Sequence, residues 1–468
     1  MKSLTQLNPQ RLFPAEPTVR AVTEELYDSV KDLPIVSPHG HVDLQLLVKN
    51  EPFKNPADLF IYFDHYVTRL LHTQGYDLSE LGKGDTDEAA ARKAWSILCS
   101  NWHMLAGTNS GYWLAHEFGT LFNIDETPNS ENAAELYDIV QEHLDQPAFL
   151  PRALFDRFNI AFLATTDDPC DDLAGHRDLA NDPTFSGRVA PTFRPDAYLD
   201  PRKPGWAQKA GNLIAAAGLN GQSFVNFIEA FRIRREFFQI NGAVSVDVGV
   251  TEPYTVELTE AKATELFEQA LAGKISETDA REFAGFMLFE QIRMSAEDGL
   301  VLTLHAGVIR NHSTTTFEKF GPDTGQDIPV AVEFVENLRP ALERFGLNKN
   351  LHLILFSIDE TTWSREVAPL AGFYPSVFIG APWWFLDAPD SLLRFRVATT
   401  EIAGFYRGSG FIDDTRAFLS IPARHDMARR VDCSFLARLV VEGRITMAQA
   451  ETIAVDLVVT IPRKAFKL

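Results

Sequence analysis

Eight short apolar runs, separated by stretches with helical spacing, constrain this chain more than any other feature. They are Leu33–His41, Phe158–Asp168, Gly187–Asp196, Ala243–Val250, Gly299–Val308, Leu351–Asp359, Ser376–Phe385 and a weaker Gly410–Asp414. Most are continuously apolar rather than alternating, which is the pattern of parallel strands buried on both faces. Strand-then-helix repeats lead to a barrel or to a doubly wound sheet. Eight of them favour an α/β fold of the (β/α)8 barrel type. Between the runs, Gln222–Ile240 has helical spacing, and Ser276–Met294 opens on Ser276 with Asp279 three residues later, a capping pattern. A further helix is expected to begin near Asp327–Pro329, where a capping residue precedes a first-turn proline.

One spacing is irregular. Asp43 to Arg157 contains no convincing strand, only helical pattern rich in aromatics such as Phe60, Tyr62, Tyr66, Trp95, Trp102 and Trp113. Residues 43–157 are therefore expected to form a helical insertion after the first strand, packed over one end of a single barrel domain spanning 1–468. Phe418–Phe466 reads as helices that close the barrel.

Composition narrows the partners. Hydrophobic residues make up 45% and charged residues 23% of 468, the balance of a globular protein with a large core. With 64 acids against 43 bases the net charge is −21. That excludes nucleic acid and anionic membrane surfaces as natural partners, since both demand basic surface. An anionic substrate would need a local cluster of arginines. Cys99, Cys170 and Cys433 lie far apart and suggest neither a disulfide framework nor a thiolate metal site. The opening MKSLTQLNPQRLFPAEP lacks the apolar core of a signal peptide, and no run approaches the roughly 18 apolar residues of a membrane span. A cytoplasmic protein is expected, with homo-oligomerisation left open.

Polar groups recur where the strands end. His39 and His41 end the first run, Thr165-Thr166-Asp167-Asp168 the second, and Arg194 and Asp196 the third. His305, then Ser357 and Asp359, then Trp383 and Trp384, and finally Asp413, Asp414 and Arg416 continue the series. Barrel chemistry gathers at these C-terminal strand ends. Residues i and i+2 of a strand share a side, so His39 and His41 can grip one cation, and neutral imidazole suits Zn²⁺. An isolated His-x-His is more often core or surface; its place at a strand end favours the metal. Asp43 continues that face and can orient a ligand histidine. The third ligand is expected from the eighth strand, Asp413 or Asp414. Asp also caps helices, and Asp413 is assigned that job here, leaving Asp414 for the metal.

The motifs resemble those of the uronate (glucuronate) isomerases, a branch of the amidohydrolase superfamily. The match rests on His39-Gly40-His41, Asp64-His65-Tyr66, Thr165-Thr166-Asp167-Asp168-Pro169 and Thr192-Phe193-Arg194-Pro195-Asp196. Pro382-Trp383-Trp384-Phe385 and Asp414-Thr415-Arg416-Ala417-Phe418-Leu419-Ser420 extend it from about Leu33 almost to the C-terminus. The resemblance implies interconversion of D-glucuronate with D-fructuronate and of D-galacturonate with D-tagaturonate. It also implies one divalent ion, expected to be zinc, on His39, His41 and Asp414. Many relatives carry Ser-Asp-His-Gly on the fourth strand, where this chain has Val246-Asp247-Val248-Gly249. Hydrolytic cousins often place a second-metal lysine there. None occurs in Ala243–Val250, which favours one metal.

Aldose–ketose isomerisation through an enediol needs a base, a proton donor and an electrostatic clamp. Asp414 is expected as ligand and base, with Tyr66 and His65 relaying protons and Arg416 beside them. For a lone tyrosine, packing between helices is the commoner role. A uronate carboxylate calls for the bidentate fork of arginine, with Arg194 and Arg416 best placed and Arg69 and Arg310 behind. Trp384 is expected as an apolar wall, Trp383 as core, and His305 as a substrate contact or a buried hydrogen-bonded side chain. Two rival readings are a metal-dependent hydrolase of the same superfamily and a sugar-acid-binding protein without catalysis. A fuller histidine set would favour the hydrolase. The joint presence of base, ligands and arginines disfavours the binder.

Overall fold

The computed structural model describes residues 8–84 and 87–468, so residues 1–7 of the N-terminal stretch considered above lie outside it. The apolar runs become short parallel strands. These are β1 (Ile35–Ser37), β2 (Ile160–Ala164), β3 (Val189–Ala190), β4 (Ser245–Val250), β5 (Val301–Ala306), β8 (Leu353–Ser357) and β9 (Val377–Ile379). A small antiparallel pair, β6 (Val308–Ile309) with β7 (Ile328–Pro329), follows β5. The parallel strands pair in the orders β1-β2-β3 and β4-β5-β8-β9. A bridge from Phe193 to Val246 joins the two groups, with Asp247 N donating to Phe193 O at 3.0 Å. Beyond β9, Ile379 bridges Gly408, and His41 N donates to Thr415 O at 2.9 Å, returning to the first strand. The parallel pairing makes this an α/β fold, and its strand order and closing contact are consistent with a TIM-like barrel.

Two expectations change. Gly410–Asp414 forms no strand: Gly410 (φ 77°) and Asp414 (φ 42°) are both left-handed, which breaks the pleat. No helix starts at Asp327–Pro329. Asp327 instead accepts from Arg310 Nη1 (2.8 Å) and Asn311 N (2.7 Å), and Pro329 sits in a two-residue strand, where its missing N–H is tolerated. The helix there begins at Val335. By contrast, Ser276 caps Glu277–Asp298 through Asp279 N at 3.1 Å, a contact worth about 1 kcal/mol.

Between β1 and β2 the described chain is helical, from Leu44–Lys49 through to Pro151–Arg157. Its aromatics build a core of their own: Trp95 and Trp102 both stack on Phe118, with centroids 5.8 and 5.2 Å away. Tyr66 and Trp113 are exceptions, joining Trp383 and Trp384 in a cluster at the strand ends. The C-terminal region is helical as expected. Its long helix Ile421–Val441 is buried on nearly every side and carries Arg424, His425, Arg429 and Arg430 into the interior. No helix among the described residues is long and apolar enough to cross a membrane.

Candidate active site

A cavity of about 360 Å³ opens at the C-terminal ends of the strands. Its lining includes His41, His65, Tyr66, Arg194, Arg310, Trp383, Trp384, Asp414 and Arg416. At its base three donor atoms converge. His41 Nε2 and His39 Nε2 lie 3.0 and 3.3 Å from Asp414 Oδ1. Neither His39 Nε2 nor Asp414 Oδ1 has a hydrogen-bond partner, although both are buried. Buried polar atoms are nearly always satisfied, so these two unpartnered atoms, with His41 Nε2 beside them, fit a site for a cation. His39, His41 and Asp414 form one such group, and His39, Asp247 and His305 a second beside it.

His305 enters this base rather than the open cavity. Its Nδ1 donates to Asp247 Oδ1 at 2.7 Å, which turns Nε2 toward Asp414 Oδ2 at 3.9 Å. Asp247 also accepts from Thr303 Oγ1 (2.9 Å) and faces Arg194 Nε at 3.5 Å. Asp43, expected to orient a ligand histidine, instead caps Leu44–Lys49 through Gln45 N. Asp247 was readable in principle, because a carboxylate inside Ser245-Val246-Asp247-Val248 is costly to bury without a purpose. Asp413 is no helix cap: its Oδ2 meets His425 Nε2 at 2.9 Å.

The electrostatics divide by position. Burial opposes charge on His39, but Asp247 and Asp414 outweigh it and raise its pKa. Burial wins at His41, lowered to about 4 despite Asp414. Asp414 resists burial and is held well below the carboxylate range by the two histidines. Arg194 overcomes burial through Asp196 and Asp247 and stays cationic; its Nε donates to Asp196 Oδ2 at 3.0 Å. Tyr66 is pushed well above 10 by burial, so the phenol keeps its proton.

The other expected residues sort cleanly. Arg416 Nη1 pairs with Asp323 (2.9 Å) and Arg310 with Asp327 (2.8 Å) at the cavity rim, where Arg310 also lies over Trp384. Trp383 lines the cavity too, edge-on to His305, instead of pointing only into the core. Arg69 is not brought in: its guanidinium lies 4.3 Å over Phe385. Asp167 and Asp168 serve structure, accepting from Thr165 Oγ1 and Tyr198, while Ser357 and Asp359 hold a turn with Thr361 and Thr362. Arg424 and Asp323, of which sequence reading gave no sign, also line the cavity, as does Asp64 of the Asp64-His65-Tyr66 motif.

His65 stacks on Tyr66 and is lowered from 6.5 to about 4, by burial first and then by Arg416. A histidine depressed in the folded state takes up its proton on unfolding, so its neutral form stabilises the fold above pH 6.5, and that contribution is lost as pH falls toward 4. Wild type should therefore lose stability relative to His65→Asn between pH 6.5 and 4.5, by on the order of 2 kcal/mol. Denaturant titrations across that range test it. A constant difference would show that His65 ionises normally.

Residues 18–465 match the family model described as glucuronate isomerase. The chain is 49% identical over 462 residues to the uronate isomerase of Corynebacterium efficiens, covering 98% of each chain. Among solved structures, the glucuronate isomerase of Caulobacter crescentus superposes with a TM-score of 0.95 at 43% identity, covering 98% of this chain and 96% of that one. The uronate isomerase of Thermotoga maritima follows with a TM-score of 0.92 at 27% identity, covering 98% and 99%. With a family match running almost from end to end, and a strand-end site of histidines, carboxylates and arginines, the chain belongs to the glucuronate isomerase family.

Proposed function

We propose that the protein interconverts hexuronate aldoses and ketoses, D-glucuronate with D-fructuronate and D-galacturonate with D-tagaturonate. The observation that carries this is the convergence of His39, His41 and Asp414 beneath a cavity that also presents Arg194, Tyr66 and Arg416. The resident ion is zinc, held by those three side chains, and the setting is the cytoplasm. When bound, such an ion would supply Lewis-acid polarisation of a substrate oxygen.

Arg194 takes the uronate carboxylate. Its Nε is fixed by Asp196, and the two Nη nitrogens donate to no other described residue, so the fork remains for a bidentate partner. Trp384 closes one side as an apolar wall. Asp414 turns Oδ1 to the histidines and keeps Oδ2 to accept the C2 proton and return it at C1. Tyr66, protonated by virtue of its burial, donates to the C1 carbonyl oxygen as charge develops and recovers a proton from the C2 hydroxyl as the ketone forms, with His65 stacked behind it and Arg416 adding positive potential.

Arg194→Lys keeps the charge and loses the fork. It should lower kcat/KM on both uronates by about 2 kcal/mol, roughly thirtyfold. Steady-state kinetics decide this. Unchanged values on both substrates would place the carboxylate elsewhere.

A further inference from the structure

Four of the ten described non-glycine residues with positive φ line the one cavity: Asn311, Asp323, Trp384 (φ 56°) and Asp414 (φ 42°). Such conformations are unfavourable, most of all for a bulky side chain like Trp, and persist only where the surroundings enforce them. Trp384 and Asp414 stand on separate loops, each needing something that holds it.

Arg424 reaches both. It projects from the buried helix Ile421–Val441, is 1% exposed, and lies 3.5 Å over the ring of Trp113. Its Nη1 donates to Asp387 Oδ2 at 2.8 Å and to the carbonyl of Asp413 at 3.2 Å, and its Nε donates to Ser420 Oγ at 3.0 Å. Asp387 in turn donates its backbone N–H to Trp384 O at 3.2 Å. Asp413 immediately precedes Asp414, and the neighbouring His425 secures its carboxylate at 2.9 Å. One guanidinium thus ties the turn that carries Trp384 to the turn that carries Asp414.

We infer that Arg424 is a positioning residue: it clamps the two strained loops so that Asp414 meets His39 and His41 and Trp384 faces the same cavity. This rests on the reading of Asp414 as a metal ligand. The clamp needs a fork, because a planar guanidinium makes several directed hydrogen bonds at fixed angles and a single ammonium cannot span the same acceptors. Like other partners that hold a ligand in place, it should affect metal affinity strongly without touching the ion.

The test compares Arg424→Gln, Arg424→Lys and Asp426→Asn in the full chain. Asp426 lies on the same helix and accepts from Arg11 (2.6 Å) and Arg430 (2.8 Å), outside the cavity lining, so it controls for loss of a buried ion pair. Zinc affinity is measured by chelator competition, kcat and KM on glucuronate separately, and folding by thermal melts. Arg424→Gln should weaken zinc binding by about ten- to hundredfold and lower kcat more than it raises KM, with Arg424→Lys recovering part of both losses. Asp426→Asn should melt earlier and keep wild-type zinc affinity. Where Arg424→Gln fails to fold, Arg424→Lys decides. Wild-type zinc affinity in the folded Arg424 variants overturns the clamp, as does an equal loss in Asp426→Asn. The zinc titration involves no substrate, so failure of wild type to isomerise hexuronates would refute the proposed activity and leave the clamp result readable.

Discussion

Asp414→Asn should lower kcat on glucuronate by about 10²–10⁴-fold, even in protein that retains metal. The carboxylate holds two positions at once. Its Oδ1 lies 3.0 and 3.3 Å from the two histidine Nε2 atoms, and its Oδ2 lies 3.9 Å from His305 Nε2. An asparagine keeps the volume and a weak oxygen donor but takes no proton. If the base reading is right, turnover therefore collapses further than metal content does. A second readout is isotopic: wild type working in D₂O should place deuterium at C1 of the ketose, because the abstracted proton rests on a side chain that exchanges with water. Near-normal turnover by metal-loaded Asp414→Asn would remove Asp414 as the base, whatever the isotope result.

The histidine ligands should show the larger effect on metal. His39→Ala and His41→Ala each delete one of three convergent protein donors. Loss of a ligand should exceed the roughly 10–100-fold typical of an outer hydrogen-bonding partner, so both variants should purify nearly metal-free. His39 is 1% exposed and stacks on His305 at 4.8 Å, so its loss also opens a void in the site floor. His41 borders the cavity, and His41→Ala should keep more of the wild-type stability while losing as much metal. Elemental analysis and melting temperature separate these effects. Full metal occupancy in both variants would dissolve the proposed centre.

What was legible follows from what is local. Apolar strands announce themselves by composition, and the polar ends of those runs lie just beyond the hydrogen-bonded ladders: β1 stops at Ser37, and His39 and His41 emerge after it. Hence the histidine pair, Arg194, Trp384 and Asp414 could be found without coordinates. The eighth run failed as a strand because φ at Gly410 and Asp414 depends on packing, including Pro462 against Gly410, that no local pattern encodes. Asp327 and Pro329 satisfy a helix-start pattern, yet Arg310 and Asn311 claim the carboxylate. Asp247 carried a usable signal in its apolar surroundings. Arg424 carried none, since a lone arginine on a helix reads as surface until the two loops it ties are folded around it. Arg69 shows the converse, a well-spaced arginine that packing turned onto Phe385.

The most direct test of the central claim is product analysis. Metal-loaded protein is incubated with D-glucuronate and, separately, with D-galacturonate, and the products are followed by mass spectrometry and NMR. Isomerisation predicts a product of unchanged mass in which the aldehyde signals give way to those of a ketose, for one or both substrates. A product heavier by one water would identify a hydrolase instead. Binding without any chemical change on either substrate would contradict the assignment of this site to isomerisation.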